Sequence, residues 1–117
     1  MPYQRLIDEL TREVEGVQGA LLLDSEGEVA VEAGARDVRH RLIGAYQGIA
    51  LGIARRTMRQ YDIGNIDYII CRYEQGQLIL RPLKDGYFLI VSFAPGANLP
   101  RGLYRSEHIR EQLNAAL

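Results

Sequence analysis

Residues 77–93, QLILRPLKDGYFLIVSF, decide how this chain folds. Two apolar runs, 77–83 and 87–93, are separated only by Lys84-Asp85-Gly86, which is turn chemistry at hairpin spacing. In the second run Tyr87, Leu89, Val91 and Phe93 alternate with Phe88 and Ile90, so both faces of the strand are apolar. Such a strand sits inside a sheet that is covered twice. The stretch therefore predicts three layers, with helices on either side of a sheet.

Working outward, IDYIICRY at 66–73 is joined to this hairpin by Glu74-Gln75-Gly76 and adds a third strand to a meander. Further upstream, VQGALLLD at 17–24 and EVAVEAG at 28–34 flank a Gly-containing turn and form another hairpin. Tyr3, Leu6, Ile7, Leu10 and Val14 recur at helical spacing, predicting a first helix over about 3–15 that stops at Gly16. From Asp37, an N-cap residue, to about Tyr61 nothing interrupts a long helix, and Gly64 marks its exit. After the loop PGANLPRG at 95–102, Asn98 caps a last helix whose Leu103, Ile109, Leu113 and Leu117 pack down. The expectation is an α+β domain spanning 1–117 in the order α-β-β-α-β-β-β-α. Its five-stranded antiparallel sheet carries the long helix on one face and the two terminal helices on the other.

Composition narrows the function. A chain of 117 residues with 25% charged and 47% hydrophobic residues has the balance of a single soluble globular domain. Cys71 is the sole cysteine, which excludes an internal disulfide and a cysteine-based metal cluster. Asp8 and Glu9 stand where a signal peptide needs an apolar core, and no apolar run is long enough to cross a bilayer, so a cytoplasmic protein without membrane insertion is expected. A net charge of −1 argues against nucleic acid as a partner. The charge is nevertheless uneven: residues 1–34 hold eight acids against Arg5 and Arg12, whereas 36–61 hold six arginines against Asp37.

Catalytic signatures do not assemble. His40, His108 and Cys71 lack the spacing of a nucleophilic or metal site. GVQGA at 16–20 and APGANLPRG at 94–102 match neither the P-loop nor the dinucleotide fingerprint, so no cofactor, bound nucleotide or enzymatic activity is expected. Arg101 and Arg105 border a loop, as an arginine finger would, but no positioning motif accompanies them and they read as solvated surface.

The element order, together with residues 14–34 (VEGVQGALLLDSEGEVAVEAG), LGIARR at 51–56 and 76–113 (GQLILRPLKDGYFLIVSFAPGANLPRGLYRSEHIREQL), resembles the Roadblock/dynein light chain family, small relatives of the longin and profilin-like folds. The resemblance implies a three-layer α/β/α domain. It also implies a homodimer in which the long helices pack together and the sheets join through the third strand, about Ile66–Tyr73. Family members serve as platforms: bacterial and archaeal forms are often associated with Ras-like small GTPases, one motility regulator stimulates GTP hydrolysis, and others are dynein light chains or scaffold subunits.

The long helix then presents a puzzle. Gly44, Gly48 and Gly52 recur every four residues, although each interior Gly costs about 0.8–1 kcal/mol relative to Ala. At about 100° per residue they lie on one face with Leu51, while Val38, Leu42, Ala45, Tyr46, Ile49 and Ile53 lie on the other. The wider apolar arc is expected to meet the sheet, leaving the glycine stripe for close approach of a second helix. The alternative is that the glycines relieve crowding within the domain. The expected dimer interface is Gly44, Gly48, Leu51 and Gly52, with Ile66, Tyr68 and Ile70 from the third strand. Arg41, Arg55 and Arg59 flank the stripe and are the expected partner-binding residues. The leading functional expectation is a non-catalytic homodimeric platform that binds and regulates a Ras-like small GTPase. The rival is a small-molecule sensor or an accessory subunit without a GTPase.

Overall fold

A computed structural model describes residues 2–34 and 50–117. Helix α1 (Pro2–Glu13) leads into strands β1 (Val17–Leu23) and β2 (Val29–Gly34). The described part of helix α2 covers residues 50–60. Strands β3 (Ile69–Tyr73), β4 (Gly76–Pro82) and β5 (Phe88–Phe93) follow, then helix α3 (Leu99–Ala116). The five strands form one antiparallel sheet in the order β2-β1-β5-β4-β3.

The turns arise from local chemistry. In the β1–β2 hairpin the Asp24 carboxylate accepts hydrogen bonds from the backbone N–H groups of Glu26 and Glu28, at 2.9 and 3.0 Å. Between β4 and β5, Lys84–Gly86 makes one 3-10 turn closed by Leu83 N–H donating to the Tyr87 carbonyl at 2.7 Å. Asn98 caps α3 by accepting from Arg101 N–H at 3.1 Å.

Strand β5 is buried along its whole length, as its two apolar faces predict. On one side Leu89, Val91 and Phe93 join Leu6, Ile7 and Leu10 of α1 and Ile109 and Leu113 of α3 in a single cluster. On the other, Phe88 and Ile90 join Leu21, Leu78, Leu80 and Leu51 of α2. The terminal helices thus share one face, and α2 covers the other. Gly102 belongs to α3 rather than to the preceding loop: a Cβ there would stand 2.5 Å from the Phe93 ring, so the missing side chain lets the helix settle onto the sheet.

One orientation differs from the sequence expectation. Leu51, assigned to the dimer interface, is 2% exposed and packs into the α2-side core, whereas Ile53, assigned to the sheet, is 53% exposed. At this end of α2 the stripe carrying Leu51 turns toward the sheet. The physical reason is burial: Leu51 joins Leu78 and Ile90 in the core, which removes its apolar surface from water, whereas Ile53 stays in solvent. At Gly52, a Cβ would meet no described atom within 4 Å, so no close approach within the described part of the domain explains that glycine.

Candidate interaction surface

Helix α2 ends in a tight double closure. Ile63 N–H donates to the Met58 carbonyl and Asp62 N–H to the Arg59 carbonyl, both at 3.2 Å, and Asp62 takes the left-handed conformation at φ 51°. This is the Schellman arrangement, with Asp where Gly usually stands. Gly64, at φ 109°, then redirects the chain toward β3. The reversal creates an open cleft of about 430 Å³ between the end of α2, residues 64–66, and the β4–β5 turn.

Arg55, Met58 and Arg59 line one side of this cleft. Their i, i+3, i+4 spacing places them on a single helix face, one turn beyond buried Leu51. Neither arginine is ion-paired with any described residue. Burial, and secondarily the charge of Arg59, push the pKa of the Arg55 guanidinium below its ordinary value.

Strand β3 pairs with β4 alone, so among the described residues its outer edge is open. Ile69 and Cys71 pack against the α2-side cluster, together with Ile66. Tyr68 and Ile70 remain exposed, at 41% and 39% of their surface, and Tyr73 is exposed too. An open edge carrying large apolar side chains is a template for pairing with another chain.

The approach to that edge is held by Arg81 of β4, which is only 3% exposed. Its Nε donates to Ser106 Oγ at 2.8 Å and its Nη2 to the Leu103 carbonyl at 2.9 Å. Its Nη1 lies 3.0 Å from Glu107 Oε2 and 3.8 Å from Asp67 Oδ1, outside hydrogen-bond geometry. The guanidinium also sits over the Tyr68 ring, 5.0 Å from its centre. One buried cation therefore ties α3 to the residues that enter β3. Sequence reasoning missed it, because an arginine in a strand reads as a solvated position unless its partners on a distant helix are known.

The expected site residues divide as follows. Arg55 and Arg59 come together at the cleft. Tyr68 and Ile70 are exposed beside the open edge, Ile66 is half-buried in the domain's own core, and Leu51 is fully committed to it. Arg41, Gly44, Gly48 and His40 lie outside the described residues. Arg105 is tied to α1 through Glu13 and, at 3.7 Å, Glu9, while Arg101 is exposed. His108 is exposed and meets Tyr104 edge-on, with ring centres 4.8 Å apart. Among the described residues no group of three His, Cys, Asp or Glu side chains is placed to hold a metal ion, and no helix is long and apolar enough to cross a membrane.

A five-stranded antiparallel sheet with two terminal helices on one face, one helix on the other and an open third strand defines the class of small Roadblock- and profilin-like domains. The chain belongs to the Roadblock/LC7 domain family, whose pattern matches residues 3–93. Among curated proteins it is similar to two uncharacterized proteins of Methanocaldococcus jannaschii, each 24% identical over 90 residues, covering 77% of this chain and 78% of theirs. Among solved structures it is similar to a Roadblock/LC7 domain from Streptomyces avermitilis, with a TM-score of 0.87 at 17% identity over 97% of this chain and 95% of that one. Myxococcus xanthus MglB also scores 0.87, at 13% identity over 97% and 93% of the two chains. A Schizosaccharomyces pombe profilin scores 0.67 at 12% identity, covering 97% and 98%, which places the wider fold relationship where the sequence resemblance put it.

Proposed function

We propose that this chain is a non-catalytic homodimeric platform that binds and regulates a Ras-like small GTPase. The family is generally non-enzymatic and associated with GTPase regulation, and likeness to MglB is consistent with that role. The observation that carries the reading is the open β3 edge with exposed Tyr68, Ile70 and Tyr73, which a second copy would cover by continuing the sheet. Exposed Ile53 on α2 adds apolar surface of the kind that a helix of the second copy would cover. Arg55 and Arg59 of the cleft supply positive charge for an acidic partner surface.

Two measurements test the proposal. Light scattering at micromolar concentration is expected to give twice the chain mass of 13.2 kDa. Immobilised protein is expected to retrieve a Ras-like GTPase from a lysate of the source organism, and the purified pair is expected to reconstitute. A monomer at these concentrations would remove the platform, and a dimer that retains no GTPase would favour an accessory or sensor role.

A further inference from the structure

The cleft beside α2 has an uneven lining, of which the partner reading uses only the two arginines. Its basic side is Arg55 and Arg59; the remainder includes apolar Met58, Ile66 and Pro82, with Gly64 and Gly86 also contributing to the lining. Its volume of about 430 Å³ falls within the range of small-molecule pockets. Arginines at the end of a helix also offset its macrodipole, but that role does not call for two of them to line one cleft. Here Arg55 is partly withdrawn from water, stands one turn from a like charge and has no carboxylate partner among the described residues. Like charges at this spacing repel on a helix, and an oxyanion received between two guanidinium groups reverses the sign of that interaction.

We propose that this cleft binds a small organic anion, with its phosphate or carboxylate group held by Arg55 and Arg59 and its apolar body against Met58, Ile66 and Pro82. Arginine suits the role because its planar fork matches either oxyanion in a bidentate manner. The apolar lining selects against a bare inorganic ion. The lining groups named here belong to one chain, so the site can be tested without a protein partner.

Met58 is one of only two methionines, so its methyl signal in ¹³C-methyl-labelled protein reports on the cleft and Met1 serves as the internal control. Phenyl phosphate and benzoate are titrated separately, to distinguish phosphate from carboxylate, alongside inorganic phosphate and uncharged benzyl alcohol. The expected result is a saturable shift of Met58, but not Met1, by at least one aromatic anion, with a Kd of about 1 mM or tighter. Inorganic phosphate and benzyl alcohol should bind at least tenfold more weakly. Arg55→Gln with Arg59→Gln should weaken the aromatic anion at least tenfold with an unchanged circular dichroism spectrum, while Arg55→Lys with Arg59→Lys should weaken it less. No Met58 shift with either anion, or equal binding by the double Gln variant, would overturn the site. Equal binding of inorganic phosphate would overturn the role of the apolar lining. The titration uses the chain alone, so its failure is separable from failure to capture a GTPase.

Discussion

Arg81 shows how much one buried cation organises. Its hydrogen bonds to Ser106 Oγ and the Leu103 carbonyl, and its approach to Glu107, join the sheet to α3. Truncation leaves a cavity and removes charge-assisted contacts, so Arg81→Ala is expected to cost about 3 kcal/mol in denaturant-measured stability. Arg81→Met retains much of the volume and should cost roughly 1 kcal/mol, because the desolvation penalty of the guanidinium disappears along with its bonds. Equal losses for the two variants would show that polar pairing, not packing, dominates. Glu107 gives the network a pH dependence. The hydrogen bond from Arg110 holds its carboxyl below the ordinary value of 4.5, the charges of Arg110 and Arg81 adding to this against partial burial, which raises it. Because the folded value is depressed, the stabilisation is complete above the unfolded value and is lost as pH falls through the folded one. A Tm profile between pH 6 and 2 should therefore decline less steeply in Glu107→Gln than in the native chain.

The elements are held by ends as much as by faces. Helix α2 stops because Asp62 adopts the left-handed conformation that lets Asp62 and Ile63 return N–H groups to the last turn. A non-Gly residue there carries a steric cost, and a carboxylate at a helix C-terminus opposes the macrodipole. Asp62→Gly should therefore raise stability by about 1 kcal/mol, seen as a Tm increase of roughly 4 °C. No increase would mean that the greater unfolded-state entropy of Gly cancels the relief. The same helix shows where periodicity loses its grip. Two apolar arcs compete along α2, and counting residues favours the one containing Ile53, yet Leu51 occupies the sheet-facing position. The sequence registers that α2 is amphipathic; the sheet it meets selects the arc. Arg55 and Arg59 follow Leu51 around to that side, which places them at the rim of a cleft rather than on a fully exposed back face.

At the scale of the whole molecule, charge and edge act separately. Ile70→Asp puts a charge beside the open β3 edge and is expected to shift the dimer toward monomer in light scattering, with at least a tenfold rise in dissociation constant. Gly48→Leu should do the same if long helices cross at the glycine stripe. A wild-type dimer unaffected by either change would place the contact elsewhere. Arg55→Glu with Arg59→Glu should instead leave the dimer folded and abolish GTPase capture, because neither arginine is ion-paired with any described residue and charges at an interface govern encounter. Wild-type capture should also weaken as salt rises. Capture that is indifferent to both salt and charge reversal would exclude the basic cleft as the docking surface.

The kinds and order of the elements were legible in the sequence because they follow from local chemistry. The Lys84-Asp85-Gly86 turn, the Asp24 turn, the Asn98 cap, the α1 stripe and the two apolar faces of β5 each act over a few residues. So did the closeness of Arg55 and Arg59, which helical spacing guarantees. Tertiary structure alone decided which side of α2 is buried, how the chain after Asp62 encloses a cleft with Pro82 and Gly86, and why Arg81 can be inside. Those outcomes depend on partners far away in the chain: Leu51 on Leu78 and Ile90, and Arg81 on Leu103, Ser106 and Glu107. A sequence pattern states that a face is apolar or a side chain charged, but desolvation and pairing depend on what the fold sets against it.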